Sequence, residues 1–300
     1  MFKMNNKTAS ALIIAAGAFW GVMGLFVRTL SGVGLNMFQI TAIRLVIGTL
    51  MLCVLVLIYD KKLYKIELKD LPIFIGMGIL SVLMMSCFYF AAILKTSLST
   101  AAILLYTAPI WVLTASVIFY GEKLTVKKIT ALICAFIGCI CVSGVSSANV
   151  SVIGILCGLG SGFSYSLYSI IGKYALKKYQ PLTVTVYSFI VAAIGSVFLA
   201  DMPKIMTLVS DNFNLSILLN ILGIGFVTVF VPYLCYTLGL KHIPAGKAAI
   251  MASVEPMVAT IAGIFAYGEI PNTIGFCGIV LIISSIVLLN INNKKEAETR

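Results

Sequence analysis

Charge is what this sequence has least of. Asp, Glu, Lys and Arg make up 10% of its 300 residues, whereas a soluble domain needs about 25% to cover its surface. A water-soluble fold is thereby excluded. Histidine occurs once, at His242, in a Lys-rich connection where a solvated side chain is the economical reading. No HExxH, GxSxG or GxxxxGK[ST] occurs, so nothing is placed for metal-assisted hydrolysis, a serine nucleophile or a nucleotide phosphate. That argues against a membrane-embedded enzyme. The eight cysteines (Cys53, Cys87, Cys134, Cys139, Cys141, Cys157, Cys235, Cys277) fall inside apolar runs without ligand spacing. They read as small packing residues, and neither a metal nor a cofactor is expected. Long polar segments are missing too. The longest, Tyr59 to Leu71, is too short for a receptor or scaffold domain.

What the chain does have is apolar length. With 61% hydrophobic residues, several runs exceed the roughly 18 residues that mark a membrane-crossing helix, and the short alternating segments of a β-barrel are absent. The reading is an all-α membrane protein with ten transmembrane helices, at 8–28, 37–58, 72–94, 98–119, 125–145, 151–172, 182–200, 215–239, 245–267 and 272–291. Lys3 and Lys7 before the first run mimic a signal peptide, but the run continues to about Val27, too long for cleavage. Pro72, Pro181, Pro244 and Pro271 fall at span starts, where a missing N–H costs nothing. Pro109, Pro232 and Pro256 lie within spans and free backbone carbonyls that a neighbouring helix or wet cavity must satisfy.

The formal charge of +11 sits in the connections, which points to membrane orientation and not to a nucleic-acid partner. Lys61, Lys62, Lys65, Lys69, Lys123, Lys127, Lys128, Lys173, Lys177, Lys178, Lys241 and Lys247 share one face with Lys3, Lys7, Lys294, Lys295 and Arg300. The opposite face has only Arg28, Lys95 and Lys204. Both termini are therefore expected in the cytoplasm, in a multi-pass protein of the plasma membrane.

The chain also repeats itself. Ser97–Glu122 (SLSTAAILLYTAPIWVLTASVIFYGE) and Ala245–Glu269 (AGKAAIMASVEPMVATIAGIFAYGE) share Ala-Ala, a proline and an aromatic-Gly-Glu ending. Pro109 stands thirteen residues before Glu122, and Pro256 thirteen before Glu269. FAAILK (90–95) matches YTLGLK (236–241), and Gly17–Gly21 matches Ser161–Tyr165. With five spans in each half, the second half must enter the membrane upside down. Inverted repeats of this kind bind a small-molecule substrate near the midplane and expose it to each side in turn. The halves are placed at 1–146 and 151–293, with SSANVS (146–151) as the seam. Each chain carries both halves, so a monomer and a homodimer both fit.

Ala-Phe-Trp-Gly in span 1, Arg44 in span 2, Pro109 with Gly121-Glu122, and Glu255-Pro256 with Gly268-Glu269 follow in an order and spacing that resembles the EamA family of the drug/metabolite transporter superfamily. The resemblance covers nearly the whole chain. It implies transport in the cytoplasmic membrane, mostly export, of metabolites, amino acids or toxic compounds. Uptake within the same family stays open, and no single substrate is implied.

Glu255 is the first candidate for function. A carboxyl group at mid-bilayer is expensive and faces a cavity or partner, which suits a proton-coupling or cation-binding group. Ala248, Ala252, Ala259 and Ala262 are expected on its helical face. Arg44 follows, about two turns inside span 2 and within a long side chain's reach of Glu255. Ser161, Ser164, Tyr165 and Tyr168 form a polar stripe on span 6, facing Gly17, Trp20, Gly21 and Gly24 of span 1. The glycines read as close packing, while Trp20 and Tyr165 lean towards a cavity. Tyr106, Trp111, Tyr233 and Tyr236 flank the mid-span prolines as weaker candidates. Glu122 and Glu269 read as charges at the start of the following helix.

Overall fold

The structure, a computed structural model, describes residues 4–144 and 151–291. Residues 146–150 of the expected seam, with Lys3, Lys294, Lys295 and Arg300, lie outside them. Among the described residues, ten helices are long and apolar enough to cross a membrane: α1 (Asn6–Gly32), α2 (Met37–Tyr59), α3 (Leu68–Lys95), α4 (Leu98–Tyr120), α5 (Val126–Ser143), α6 (Val152–Ala175), α7 (Pro181–Leu199), α8 (Leu215–His242), α9 (Ala245–Tyr267) and α10 (Thr273–Asn290). No strand occurs among the described residues. The helix ends follow from the sequence. Asn5, Asn36, Thr125, Ser151, Asn214 and Asn272 each accept the backbone N–H three residues on, the side-chain cap that a helix start needs. Gly121 and Gly268 stop α4 and α9 in the left-handed region, at φ 61° and 69°. His242 closes α8 and so sits on a helix, not in a connection.

One element is not announced by the apolar runs. Between α7 and α8 an amphipathic helix, Met202–Asp211, is capped by Asp201. Its Ile205 joins Leu30, Leu35 and Ile40 in a small core over the ends of α1 and α2.

The packing pattern is twofold. α1 packs on α8 as α6 packs on α3, α1 on α9 as α6 on α4, and α2 on α8 as α7 on α3. The pairs α2–α7 and α5–α10 map onto themselves. Helix irregularities match as well, with a π-helical stretch at Gly76–Leu83 in α3 and another at Phe226–Phe230 in α8.

The α5–α10 seam is closed by two glycines. A Cβ on Gly138 would lie 2.9 Å from the Gly278 carbonyl, and one on Gly278 2.7 Å from the Gly138 carbonyl. Backbone cannot yield as a side-chain tip can. Gly138→Leu is therefore expected to destabilise by about 1–3 kcal/mol, read as a lower unfolding midpoint in detergent. Gly24→Ala, where a Cβ meets nothing within 4 Å, should leave the midpoint in place.

The face where α1 begins and α10 ends, here the N-terminal face, carries a polar cluster. Lys178 bridges Asp70 at 2.6 Å and Glu67 at 2.5 Å. Tyr179 donates to Asp70 at 2.5 Å, and Tyr187 to the Tyr64 carbonyl at 2.6 Å. Bonds from Lys178 and Lys69 hold the Glu67 carboxyl below its ordinary pKa. Any stability it adds is present above the unfolded carboxylate pKa and lost as pH falls through the folded one. This exposed pair is also screened by salt.

Candidate functional site

Two helices are broken in mid-membrane, each by its proline. Proline has no N–H for the carbonyl four residues back and its ring crowds that carbonyl. α4 is thus split into α4a (Leu98–Leu105) and α4b (Ala108–Tyr120), and α9 into α9a (Ala245–Ala252) and α9b (Glu255–Tyr267). Local hydroxyls take up carbonyls at the breaks: Thr107 donates to Leu104 at 2.7 Å, and Ser253 to Ala249 at 3.5 Å. The N-terminal ends of α4b and α9b, each with the partial positive charge of a helix start, both lie beside one cleft.

Glu255 is the first residue of α9b. The continuous alanine face expected around it does not form, because the helix is interrupted between Ala252 and Glu255 and its register does not carry across. Ala248 and Ala252 are buried on α9a while Ala259 is exposed on α9b. The carboxylate instead occupies the positive end of a half-helix, which favours negative charge there.

The cleft is narrow and is lined by Tyr106, Pro109, Tyr165, Ser166, Ser169, Tyr236, Ser253 and Glu255, among others. Tyr165 and the Glu255 carboxyl line the same cleft as neighbours. Trp20 stands behind, its ring centroid 6.1 Å from Tyr165, 5.0 Å from Tyr233 and 5.4 Å from Tyr236. The buried Trp20 indole N–H has no acceptor. α1 reaches this depth because it has no side chain in the way. A Cβ on Gly17 would lie 2.7 Å from the Ala252 carbonyl, and one on Gly21 2.6 Å from the Glu255 carbonyl. Gly17 and Gly21 thus pack on the break in α9, not on α6, while Gly24 of the same stripe faces open space.

The sequence-predicted residues divide into three groups. Glu255, Tyr106, Tyr165 and Tyr236 line the cleft, and Trp20 backs it. Tyr168 and Ser164 are buried away from it; the Tyr168 hydroxyl pairs with Thr237 at 3.0 Å. Arg44 is buried on α2, where its Nη1 bonds the Met23 sulfur at 3.1 Å. It lies within electrostatic range of Glu255 and Tyr233, but the ion pairs among the described residues include neither Arg44 nor Glu255. The sequence reading missed Ser166, Ser169 and Ser253. On α6 the lining face runs through Tyr165 and Ser169, one stripe round from Ser161, Ser164 and Tyr168. The pairing of Ser169 with Tyr236 at 2.6 Å has no local sequence signal. No cluster of three His, Cys, Asp or Glu offers a metal site among the described residues.

The two ends of the cleft differ. Towards the N-terminal face α4b and α9a pack together, and all of α9a except Lys247 is buried. Glu122 seals this contact. Its carboxylate accepts the Gly246 N–H at 3.3 Å and the Lys128 ammonium at 2.7 Å. The expectation that Glu122 serves the start of the next helix is corrected: Thr125 caps α5, and Glu122 serves α9a, across the interface between halves. At the other end Glu269 pairs with Arg28 at 2.9 Å, with both side chains more than half exposed. Only Pro256 of α9b is buried, against six residues of α4b, its counterpart. α9b makes no contact with α4a comparable to that of α4b with α9a. The two broken helices are thus packed on one another towards the N-terminal face and much less closely towards the other.

The model of the EamA-like transporter family matches residues 7–144 and 152–291. The chain is 28% identical over 282 residues to an uncharacterized transporter of Archaeoglobus fulgidus, covering 94% of this chain and 96% of the relative. It is 24% identical over 304 residues to YwfM, an uncharacterized transporter of Bacillus subtilis, covering 98% and 97%. A solved crystal structure superposes with a TM-score of 0.78 at 17% identity, over 95% of this chain and 96% of its own, which is a likeness of fold.

Proposed function

The chain belongs to the EamA-like transporter family, and from that premise we propose that it is a secondary active exporter working by alternating access. Its halves, 1–146 and 151–293, form an inverted pair. The N-terminal face is cytoplasmic, since nearly all the loop lysines lie on it, and the membrane is the plasma membrane. The observation that carries this reading is the cleft between α4 and α9, bounded by two broken helices that pack on each other towards the lysine-rich face and much less closely towards the other. Half-helix starts facing a midplane cavity are how carriers of this architecture hold a substrate.

In this reading Glu255 is the coupling group that exchanges a proton or binds a cation. Tyr106, Tyr165 and Tyr236 supply aromatic walls with hydroxyl tips, the unpaired Trp20 N–H supplies a donor, and Arg44 supplies positive charge. A small metabolite, amino acid or amphipathic compound fits such a mixed lining. Purified protein in vesicles, screened with a metabolite panel under an imposed pH gradient, tests the function. Substrate flux driven by the gradient is expected, and the absence of any protein-dependent flux across the panel would overturn it.

Orientation has its own test. In a cysteine-free background, Lys204→Cys on intact cells should react with a membrane-impermeant maleimide, while Lys123→Cys should react only after lysis. The reverse pattern would turn the molecule over and make the N-terminal face extracellular.

A further inference from the structure

Glu122 and Glu269 hold matching places in the two halves, each after a glycine that ends its helix. Their backbones match too: Glu122 N–H bonds the Ser116 carbonyl and Glu269 N–H the Gly263 carbonyl. Their side chains are employed differently. Glu122 is 8% exposed and seated on Gly246 of α9a, with Lys128 behind it. Glu269 is 56% exposed and held outward by Arg28, which also stacks over the Tyr267 ring at 4.1 Å.

The seat explains why an acid is needed. α9a begins after Pro244 with no side-chain cap and no acidic residue in its first turn. Its leading N–H groups would be buried by the closed contact without an acceptor, and Glu122 of the other half provides one. The repeat relation that carries Pro256 onto Pro109 carries Gly246 onto Ser99, near the start of α4a. There Ser97 answers the Thr100 N–H, and the first turn again holds no acidic residue.

We propose that Glu122 and Glu269 are the paired gate residues of the transport cycle, seated alternately. With the N-terminal face shut, Glu122 rests on the start of α9a. When that face opens, Glu122 leaves Gly246, and Glu269 exchanges Arg28 for the N–H of Ser99, closing α9b onto α4a. The proposal rests on the alternating-access reading and assigns it two residues that touch neither the cleft nor substrate.

The test is electron–electron distance measurement on spin-labelled protein in nanodiscs, in a cysteine-free background. One label pair at positions 124 and 247 reports the N-terminal face, and one at 98 and 270 the opposite face. Wild type is expected to show two distance populations on each face. Glu122→Ala should favour the state open at the N-terminal face by about fivefold, and Glu269→Ala should favour the opposite state. The double variant, deprived of one seat in each state, should return towards the wild-type ratio. Arg28→Ala, which frees Glu269, should act like Glu122→Ala. If an alanine variant fails to fold, the glutamine variant at that position takes its place, with the same sign expected. Two wild-type populations that the single variants move in the same direction, or not at all, would overturn the gate assignment alone. A single population on both faces at every pH would overturn the carrier reading and the gates with it.

Discussion

Glu255→Gln is expected to cut gradient-driven transport by roughly ten- to a hundredfold, the loss that follows when a charged group's interaction worth about 1.5–3 kcal/mol is removed. It should also flatten the dependence of the remaining flux on pH. The substitution keeps side-chain length and a group able to bond the Tyr165 hydroxyl. It leaves the main-chain carbonyl against which Gly21 packs, so the unfolding midpoint should stay close to wild type. What changes is the proton that the carboxylate can hold. Binding and coupling separate in the readout. If glutamine supports downhill exchange at near the normal rate but no accumulation against a gradient, Glu255 is a coupling group. If both are lost together, the carboxylate contacts substrate. Wild-type accumulation with wild-type pH dependence would remove it from the mechanism.

Replacing Arg44 by methionine should make the protein more stable and less active. A buried guanidinium that bonds the Met23 thioether, and makes no ion pair among the described residues, is a burden on the folded state. Holding a charge out of water costs several kcal/mol per ion even after relaxation, and methionine removes that cost. Transport should fall about tenfold or more if the guanidinium meets substrate or gates its path. Lysine should not restore it, since a compact ammonium cannot reproduce the planar fork. Thermal unfolding and flux measured on the same preparation decide the matter. A variant that loses both stability and transport makes Arg44 a structural support of α2 against α1. One that gains stability and keeps full transport removes Arg44 from function.

The ten helices were legible in the sequence because lipid demands long apolar runs, and each run begins at a recognisable cap or proline. The duplication was legible because Pro109 with Glu122 and Pro256 with Glu269 keep the same spacing. Within the cleft, Tyr106, Tyr165, Tyr236 and Glu255 could be named because polar and aromatic groups stand out in an apolar helix. Three things were not legible. Extrapolating a regular turn through Pro256 put alanines around Glu255 that the break in α9 separates from it. The lining stripe of α6 was taken one face round, since a membrane helix is apolar both towards lipid and towards its neighbours, and periodicity does not say which side faces inward. The partner of Glu122 lies in the other half of the chain, so no local pattern announces the Gly246 N–H. The contrast between the two glutamates, equal in sequence and unequal in surroundings, exists only in three dimensions.

The glycine seam between α5 and α10 lies where the two halves meet their own image. In the proposed exchange of conformations this contact, like that of α2 with α7, is handed back to itself, while the others pass to their counterparts. In that cycle it would serve as a pivot. The tight backbone contact there would keep the molecule together while its other surfaces slide, and a leucine at Gly138 would loosen the axle as well as the fold.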